Sequence, residues 1–445
     1  MNWLMLCCWI ACGTYAFSVN RDPVSPPKFL LSTLAIYFGV IFVDSEQPIL
    51  VFGCFFGLLV LSTFLANVER ESLRSAVKTW PRRPLRFASG PRSGVERTAQ
   101  IKPPVPPDGP PPSPWRVAAI VWAATCIPLG VYTWLLVRFG GVESFFDSSK
   151  NRVMEWQGLG PILIFATITP TLNLFYCVTV LTVRRRTLSY MAVYALHCVV
   201  TVMLSIGTSS RSQMLNVIAV SILLFHYLYR RISAVRFGIA VATLVMLAAF
   251  LGAVREMSKY EQGSFELNLE KMEDSFRFSL FSYGILPLAV LAKAESITPL
   301  MGTTFLSVFT NPVPRALWPD KPETGGVRFT KLYMDNQWDG TSYATPGFVG
   351  ESIMNFGWYV GVPLAFGALF WLFLKIERHY GRFVASVLPQ NPDFWNGVRL
   401  LLYIYALQYC CALLVGEFTN TTIPILFHCG WVVFLGKMVR VHGIA

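Results

Sequence analysis

Charged residues are scarce in this chain of 445 residues: Asp, Glu, Lys and Arg make up 14% of it, against 54% apolar residues. A soluble domain carries about a quarter charged residues. That class is excluded, and a mean hydropathy of +0.49 makes the chain a membrane protein. Metal-site motifs are missing as well. No CxxC, HExxH or Cys and His set with zinc spacing occurs, and the ten cysteines fall inside apolar runs, where they read as small packing residues. Histidine is rare, with five in the chain. What is present in excess is positive charge, a formal +12 from 37 Lys and Arg against 25 Asp and Glu.

A membrane-spanning helix needs roughly 17 to 25 mostly apolar residues. Runs of about this length lie at 2–19, 29–43, 49–66, 115–138, 161–183, 187–207, 213–229, 235–254, 347–375, 398–415 and 421–438. The predicted fold class is therefore all-α: a polytopic integral membrane protein with about eleven transmembrane helices. The first run has no Lys or Arg before it, so it reads as a retained helix and not a cleaved signal.

Lys and Arg near the ends of spans mark the cytoplasmic side. Arg184, Arg185 and Arg186 close one run, and Arg230, Arg231 and Arg236 fill the turn two runs later. Residues 67–116 hold ten basic residues against four acidic ones, and Lys375, Arg378, Arg382, Lys437 and Arg440 end later runs. All these sites agree with an N-terminus outside and a C-terminus in the cytoplasm. The basic excess is then topological, and no nucleic acid is needed to account for it. The same parity places the apolar segment 276–293 on the outer face, as a re-entrant or interfacial helix within a large external loop. Five regions follow: three N-terminal helices (1–66), a cytoplasmic linker (67–114), helices four to eight (115–254), the external loop (255–346) and helices nine to eleven (347–445).

The two long loops differ in kind. The linker ends in Pro103, Pro104, Pro106, Pro107, Pro110, Pro111, Pro112 and Pro114 and reads as disordered. Its charge fixes topology; docking to an aromatic groove or contact with anionic lipid are the functional alternatives. The external loop has the composition of a folded lid. Four prolines between 312 and 322 stiffen the chain around Arg315 and Lys321, a turn suited to holding a diphosphate.

Three blocks carry a resemblance: NPVPRALWPDKP from Asn311 to Pro322, GESIMNFGWYVG from Gly350 to Gly361, and GTSSRSQML from Gly207 to Leu215. In order and sidedness they resemble the bacterial oligosaccharide repeat-unit polymerases of the Wzy type, of which O-antigen polymerase is the familiar example. The resemblance covers roughly residues 115–440. It implies a glycosyltransferase of the inner membrane that needs no metal or other cofactor. Such an enzyme moves a growing glycan from undecaprenyl diphosphate to the next lipid-linked repeat unit at the outer leaflet. A flippase and a chain-length regulator of the same pathway are the implied partners, besides membrane lipid. The related O-antigen ligases are expected to carry a histidine in the external loop. None falls there, which tilts the reading toward polymerase.

This chemistry needs cations for the departing diphosphate, a base for the acceptor hydroxyl and a surface for sugars. Arg211, beside Ser210 at the start of a helix, joins a guanidinium to free backbone amides; a snorkelling anchor is its alternative role. Arg315 and Lys321 stand on the stiff turn with Trp318 and Asp320, and Arg255 and Arg277 bracket an acidic stretch. The candidate base is Glu351, near Asn355, with Asp320 and Glu417 next in order; helix-end electrostatics is its structural alternative. Trp318, Trp338, Trp358, Tyr333 and Tyr343 either stack on sugars or form an interfacial belt.

Two other classes stay open. Asp44, Ser45 and Glu46 form an acid-x-acid triplet suited to Mg²⁺ or Mn²⁺ in a glycosyltransferase that uses a lipid-phosphate sugar. A lipid-linked glycan flippase or transporter would show internal repeats and broken helices near the midplane. No repeat is evident in the sequence.

Overall fold

A computed structural model describes residues 2–20, 22–42, 47–78, 111–150, 156, 159–183, 186–207, 211–260, 283–313, 317–334 and 344–441. Among the described residues the regular structure is helical throughout, with no strand. The helices are α1 (Asn2–Val19), α2 (Pro26–Tyr37), α3 (Ile49–Lys78), α4 (Pro114–Arg138), α5 (Val142–Lys150), α6 (Gly160–Ala166), α7 (Thr169–Thr182), α8 (Leu188–Gly207) and α9 (Arg211–Leu228). They continue with α10 (Ala234–Tyr260), α11 (Leu286–Lys293), α12 (Thr303–Thr310), α13 (Gly325–Tyr333), α14 (Gly347–His379), α15 (Phe394–Ala412) and α16 (Phe418–Val441).

Among the described residues, seven helical stretches are long and apolar enough to cross a membrane: Asn2–Val19, Ile49–Arg74, Pro114–Arg138, Gly160–Thr182, Leu188–Ser205, Gly347–Val384 and Phe418–Arg440. The chain is thus an α-helical, membrane-embedded protein, and the seven stretches among the described residues do not confirm the count of about eleven. The four other runs are helical without meeting that standard. α2 has only 12 residues, about 18 Å of helix against a hydrocarbon core of about 30 Å. In α9 and α10 the apolar stretches among the described residues are Gln213–Leu228 and Ala234–Leu247. α15 carries Asn396, Arg399 and Gln408 among its 19 residues.

α7 is the hub. Every residue from Thr169 to Val180 is buried, and α4, α8, α9 and α15 pack around it. Large apolar side chains such as Leu188, Tyr359 and Met203 remain exposed on the outer helices, the surface a bilayer covers. α9 and α15 run antiparallel, because Asn216 accepts from Gln408 at 2.6 Å while Leu228 packs against Gly397. The start of α9 therefore lies at the same end of the bundle as the end of α15.

Three boundaries differ from the sequence reading. α3 runs on to Lys78, so the first 12 residues of the expected disordered linker are helix. Residues 79–110, with most of its prolines, lie outside the described residues. α10 continues through Arg255 to Tyr260, past the expected start of the external loop. Within 276–293 the described part is an eight-residue helix, α11, too short to cross. It packs through Leu288 and Leu291 near Gly350, at the end of the bundle where α14 begins.

α14 is not one straight span. Gly357 has φ 72° and ψ 175°, a conformation essentially reserved for glycine. The chain turns so sharply there that a Cβ on Gly361 would lie 2.3 Å from the Ser352 carbonyl oxygen, although a straight helix would separate the two residues by about 13 Å along its axis. Two glycines of the GESIMNFGWYVG block thereby have a structural role. Gly357→Ala is expected to lower stability by about 1–3 kcal/mol, whereas Gly367→Ala, in open space on the same helix, should stay within about 1 kcal/mol of wild type. Thermal unfolding of the purified protein in detergent compares them; equal effects would rule out the turn at Gly357.

Candidate functional site

The turn at Gly357 frees carbonyls that a continuous helix would use, and they are answered from another segment. Leu300 N–H donates to the Met354 carbonyl at 3.0 Å and Met301 N–H to that of Asn355 at 2.9 Å. Met301 (φ 51°) and Gly302 (φ 82°) then take left-handed conformations, and the chain enters α12. This brings Thr304 against Glu351 and Asn355.

Glu351 is fully buried, at 0% exposure. Its Oε1 accepts from Thr304 Oγ1 at 2.7 Å and its Oε2 from the Phe418 amide, at the start of α16, at 2.6 Å. The free N–H groups and dipole of a helix N-terminus suit a carboxylate. Asn355 Nδ2 donates to Thr304 Oγ1 at 2.6 Å and to the Glu351 carbonyl at 2.8 Å, while Asn355 Oδ1 is buried with no partner. Gly325, at the start of α13, lies so close that a Cβ there would stand 2.6 Å from the Glu351 carboxyl carbon.

Glu417 completes the site, also at 0% exposure. Its carboxyl accepts from the Gly326 amide near the start of α13 and from Asn420 Nδ2, so each carboxylate sits at the N-terminus of a different helix. Ser307 and Thr419 pair beneath them through their hydroxyls. No group of three or more His, Cys, Asp or Glu able to hold a metal occurs among the described residues.

The other candidates divide. The backbone of Arg211 starts α9, at the same end of the bundle as Glu351 and Glu417. Arg255 belongs to α10, and its side chain, like that of Arg211, is outside the described set. Arg315, Arg277 and Ser210 lie outside the described residues, as do Trp338, Tyr343 and the Asp44–Ser45–Glu46 triplet. Lys321 turns inward: its Nζ donates to the carbonyls of Asn311 at 2.9 Å and Val313 at 2.6 Å, closing the proline turn instead of projecting from it. Trp318, 44% exposed, and Asp320 stand on the outside of that turn. Tyr333 is half-buried against Phe329, and Trp358 packs at the edge of the main core. Thr304 and Gly325 had no signal in the sequence, since their roles depend on contacts with residues 47 and 26 positions away.

Compared with known proteins, the chain matches no family model, no curated protein and no solved structure.

Burial is the largest influence on the Glu417 carboxyl and pushes it above its ordinary range, against hydrogen bonds from the Gly326 amide, Thr324 and Asn420. A carboxyl that binds its proton more tightly in the folded state contributes stability fully below the unfolded value of about 4.3. That contribution is lost as pH rises through the folded value. Stability of the wild type should therefore fall with rising pH in that window, and Glu417→Gln should lose this part of the slope. Parallel melting curves for the two proteins over the window would show that Glu417 does not hold the proton.

Proposed function

We propose that the chain is a glycosyltransferase that polymerises lipid-linked oligosaccharide repeat units into a surface polysaccharide such as O-antigen, capsule or exopolysaccharide. In this reading it acts at the outer leaflet of a bacterial inner membrane, with its N-terminus outside and its C-terminus in the cytoplasm. The donor is a glycan on undecaprenyl diphosphate, and no metal takes part. The observation that carries the reading is the unsatisfied Asn355 Oδ1 beside the Glu351 carboxylate. A buried acceptor with no donor is uncommon and calls for a partner; an acceptor sugar hydroxyl supplies one. Glu351 then takes the hydroxyl proton, with Thr304 holding the carboxylate in place.

Arg211, Arg315 and Lys321 are assigned to the departing diphosphate. For Lys321 the contribution is to hold the chain at Asn311 and Val313. Arg255 and Arg277 serve as further cations, and Ser210, Trp318 and Asp320 as sugar or phosphate contacts. A chain-length regulator and a flippase are partners in the same pathway.

A lipid-linked glycan flippase is the second reading. The sharp turn at Gly357 and the interruption between α6 and α7 favour it, because broken helices line binding sites in transporters. A metal-dependent transferase built on Asp44 and Glu46 is the third.

Purified protein reconstituted with a synthetic lipid-linked repeat unit separates the three. A ladder of longer glycans that persists in EDTA is expected. Glu351→Gln should slow it by about 10²–10⁴-fold, the range for loss of a general base, and Arg211→Ala or Arg315→Ala should abolish long chains in protein that still inserts normally. Movement of the lipid-linked unit between leaflets without any ladder would establish the flippase instead. Activity lost in EDTA and restored by manganese would establish the metal-dependent enzyme.

A further inference from the structure

At the end of the bundle opposite Glu351, a second set of ionisable side chains is shut away from solvent. Asp22 lies between α1 and α2, Lys28 on α2, Glu69 on α3, His226 and Tyr227 on α9, and Glu377 on α14, with Tyr380 just beyond it. Asp22 is fully answered. Its carboxylate accepts from Tyr380 Oη at 2.7 Å, Tyr227 Oη at 3.1 Å and Arg231 Nη1 at 3.1 Å, and His226 Nε2 stands 3.3 Å away. The Ile232 amide donates to His226 Nδ1 at 3.0 Å, which leaves Nε2 facing Asp22 and, at 3.2 Å, Arg231 Nη1. Burial by itself would raise the Asp22 carboxyl, but His226, Arg231 and Tyr380 outweigh it and hold the group far below the usual carboxylate range. Asp22 and Arg231 therefore balance one another.

The remaining charges do not balance. Glu69 and Glu377 are both 0% exposed, and Lys28 is 2% exposed. Asn20 Nδ2 donates both to Glu69 Oε1 and, at 3.0 Å, to Tyr380 Oη, one turn beyond Glu377, which brings Glu69 of α3 to this end of α14; Lys28 of α2 and Tyr403 of α15 are the other titratable neighbours of Glu377. Lys28 Nζ donates to the Asp22 carbonyl at 2.6 Å and to Ser25 Oγ at 2.9 Å. Glu69 Oε1 accepts from Asn20 Nδ2 at 2.5 Å. Its Oε2 has no hydrogen-bond partner, and neither oxygen of Glu377 has one. Two carboxyls and one ammonium are thus enclosed together, and the hydrogen bonds of Lys28 Nζ go to the Asp22 carbonyl and Ser25 Oγ, not to either carboxyl. An ionised carboxylate with no donor is strongly disfavoured there, whereas a carboxylic acid brings its own donor.

We propose that Glu69 and Glu377 form a proton-binding site, in which the pair holds one proton between them and, with Lys28, makes a neutral box that fastens α14 to α2 and α3. The nearby ammonium argues against a divalent cation as the occupant. Loss of the proton would set two negative charges against one positive charge and loosen this end of the bundle. The site is separate from the Glu351–Glu417 pair and does not depend on the polymerase reading.

Infrared spectroscopy of the purified full chain tests it. A carboxylic acid C=O band is expected at neutral pH in the difference spectrum between wild type and Glu377→Gln, a shape-conserving change. Glu69→Gln, which leaves Glu377 alone with Lys28, should lose the same band, and either variant serves if the other fails to fold. Absence of an acid band from both difference spectra would overturn the proposal. So would a rise in the wild-type melting temperature with sodium that Glu377→Gln abolishes, because a metal cation would then occupy the box.

Discussion

Where a helix breaks in apolar surroundings, its freed carbonyls must find donors, and in this protein that requirement organises one end of the molecule. Gly357 turns the chain, and the Met354 and Asn355 carbonyls accept from the Leu300 and Met301 amides. Those two bonds dock the segment before α12 onto α14. Thr304 reaches Glu351 as a consequence, and Glu351 in turn meets the first amide of α16. Removing the turn would leave these contacts without a frame, since each depends on where the preceding one puts the chain.

The two ends of the bundle solve the same electrostatic problem differently. At one end, Glu351 and Glu417 have no Lys or Arg in hydrogen-bond contact among the described residues, and each is held by the N-terminal amide of a different helix. Partial charges fixed in the backbone face the two carboxyls there without closing the site with a counter-ion. At the other end, Asp22 is matched to a guanidinium and further donors, while Glu69 and Glu377 are buried with Lys28 and three of their four oxygens have no donor. The first arrangement leaves a buried acceptor, Asn355 Oδ1, without a donor. The second is short of one positive charge, which a proton supplies.

Several features are legible in the sequence. Low charge and long apolar runs were enough for an α-helical membrane protein, because burying unsatisfied backbone in lipid leaves few alternatives. Glu351 was the candidate base, with Glu417 behind it, because carboxylates with shifted proton affinity gather at functional sites, and Asn355 was its neighbour on the next turn. The number of spans was less legible. Hydropathy does not show that Pro26 and a change of helix type after Tyr37 limit α2 to 12 residues. Nor does it show that α14 bends at Gly357. Lys321 was read as projecting toward a ligand, but the proline turn it sits on offers two carbonyls at hydrogen-bond distance, and the ammonium folds back onto them.

The sequence by itself determined the solvent this protein lives in, its helical class and the small set of polar residues with chemical potential, since each follows from composition and local spacing. Only the tertiary structure decided which of those residues meet. Glu351 pairs with Thr304 across 47 positions, Gly326 with Glu417 across 91, and Tyr380 with Asp22 across 358. Contacts of that separation arise from how helices pack and where they break, and the periodicity of any one helix carries no record of its distant partner. Glu377 is the clearest case. In the sequence it is one acidic residue among the basic residues that end an apolar run, and only the packing of α2, α3, α14 and α15 around it shows a carboxyl left without a donor.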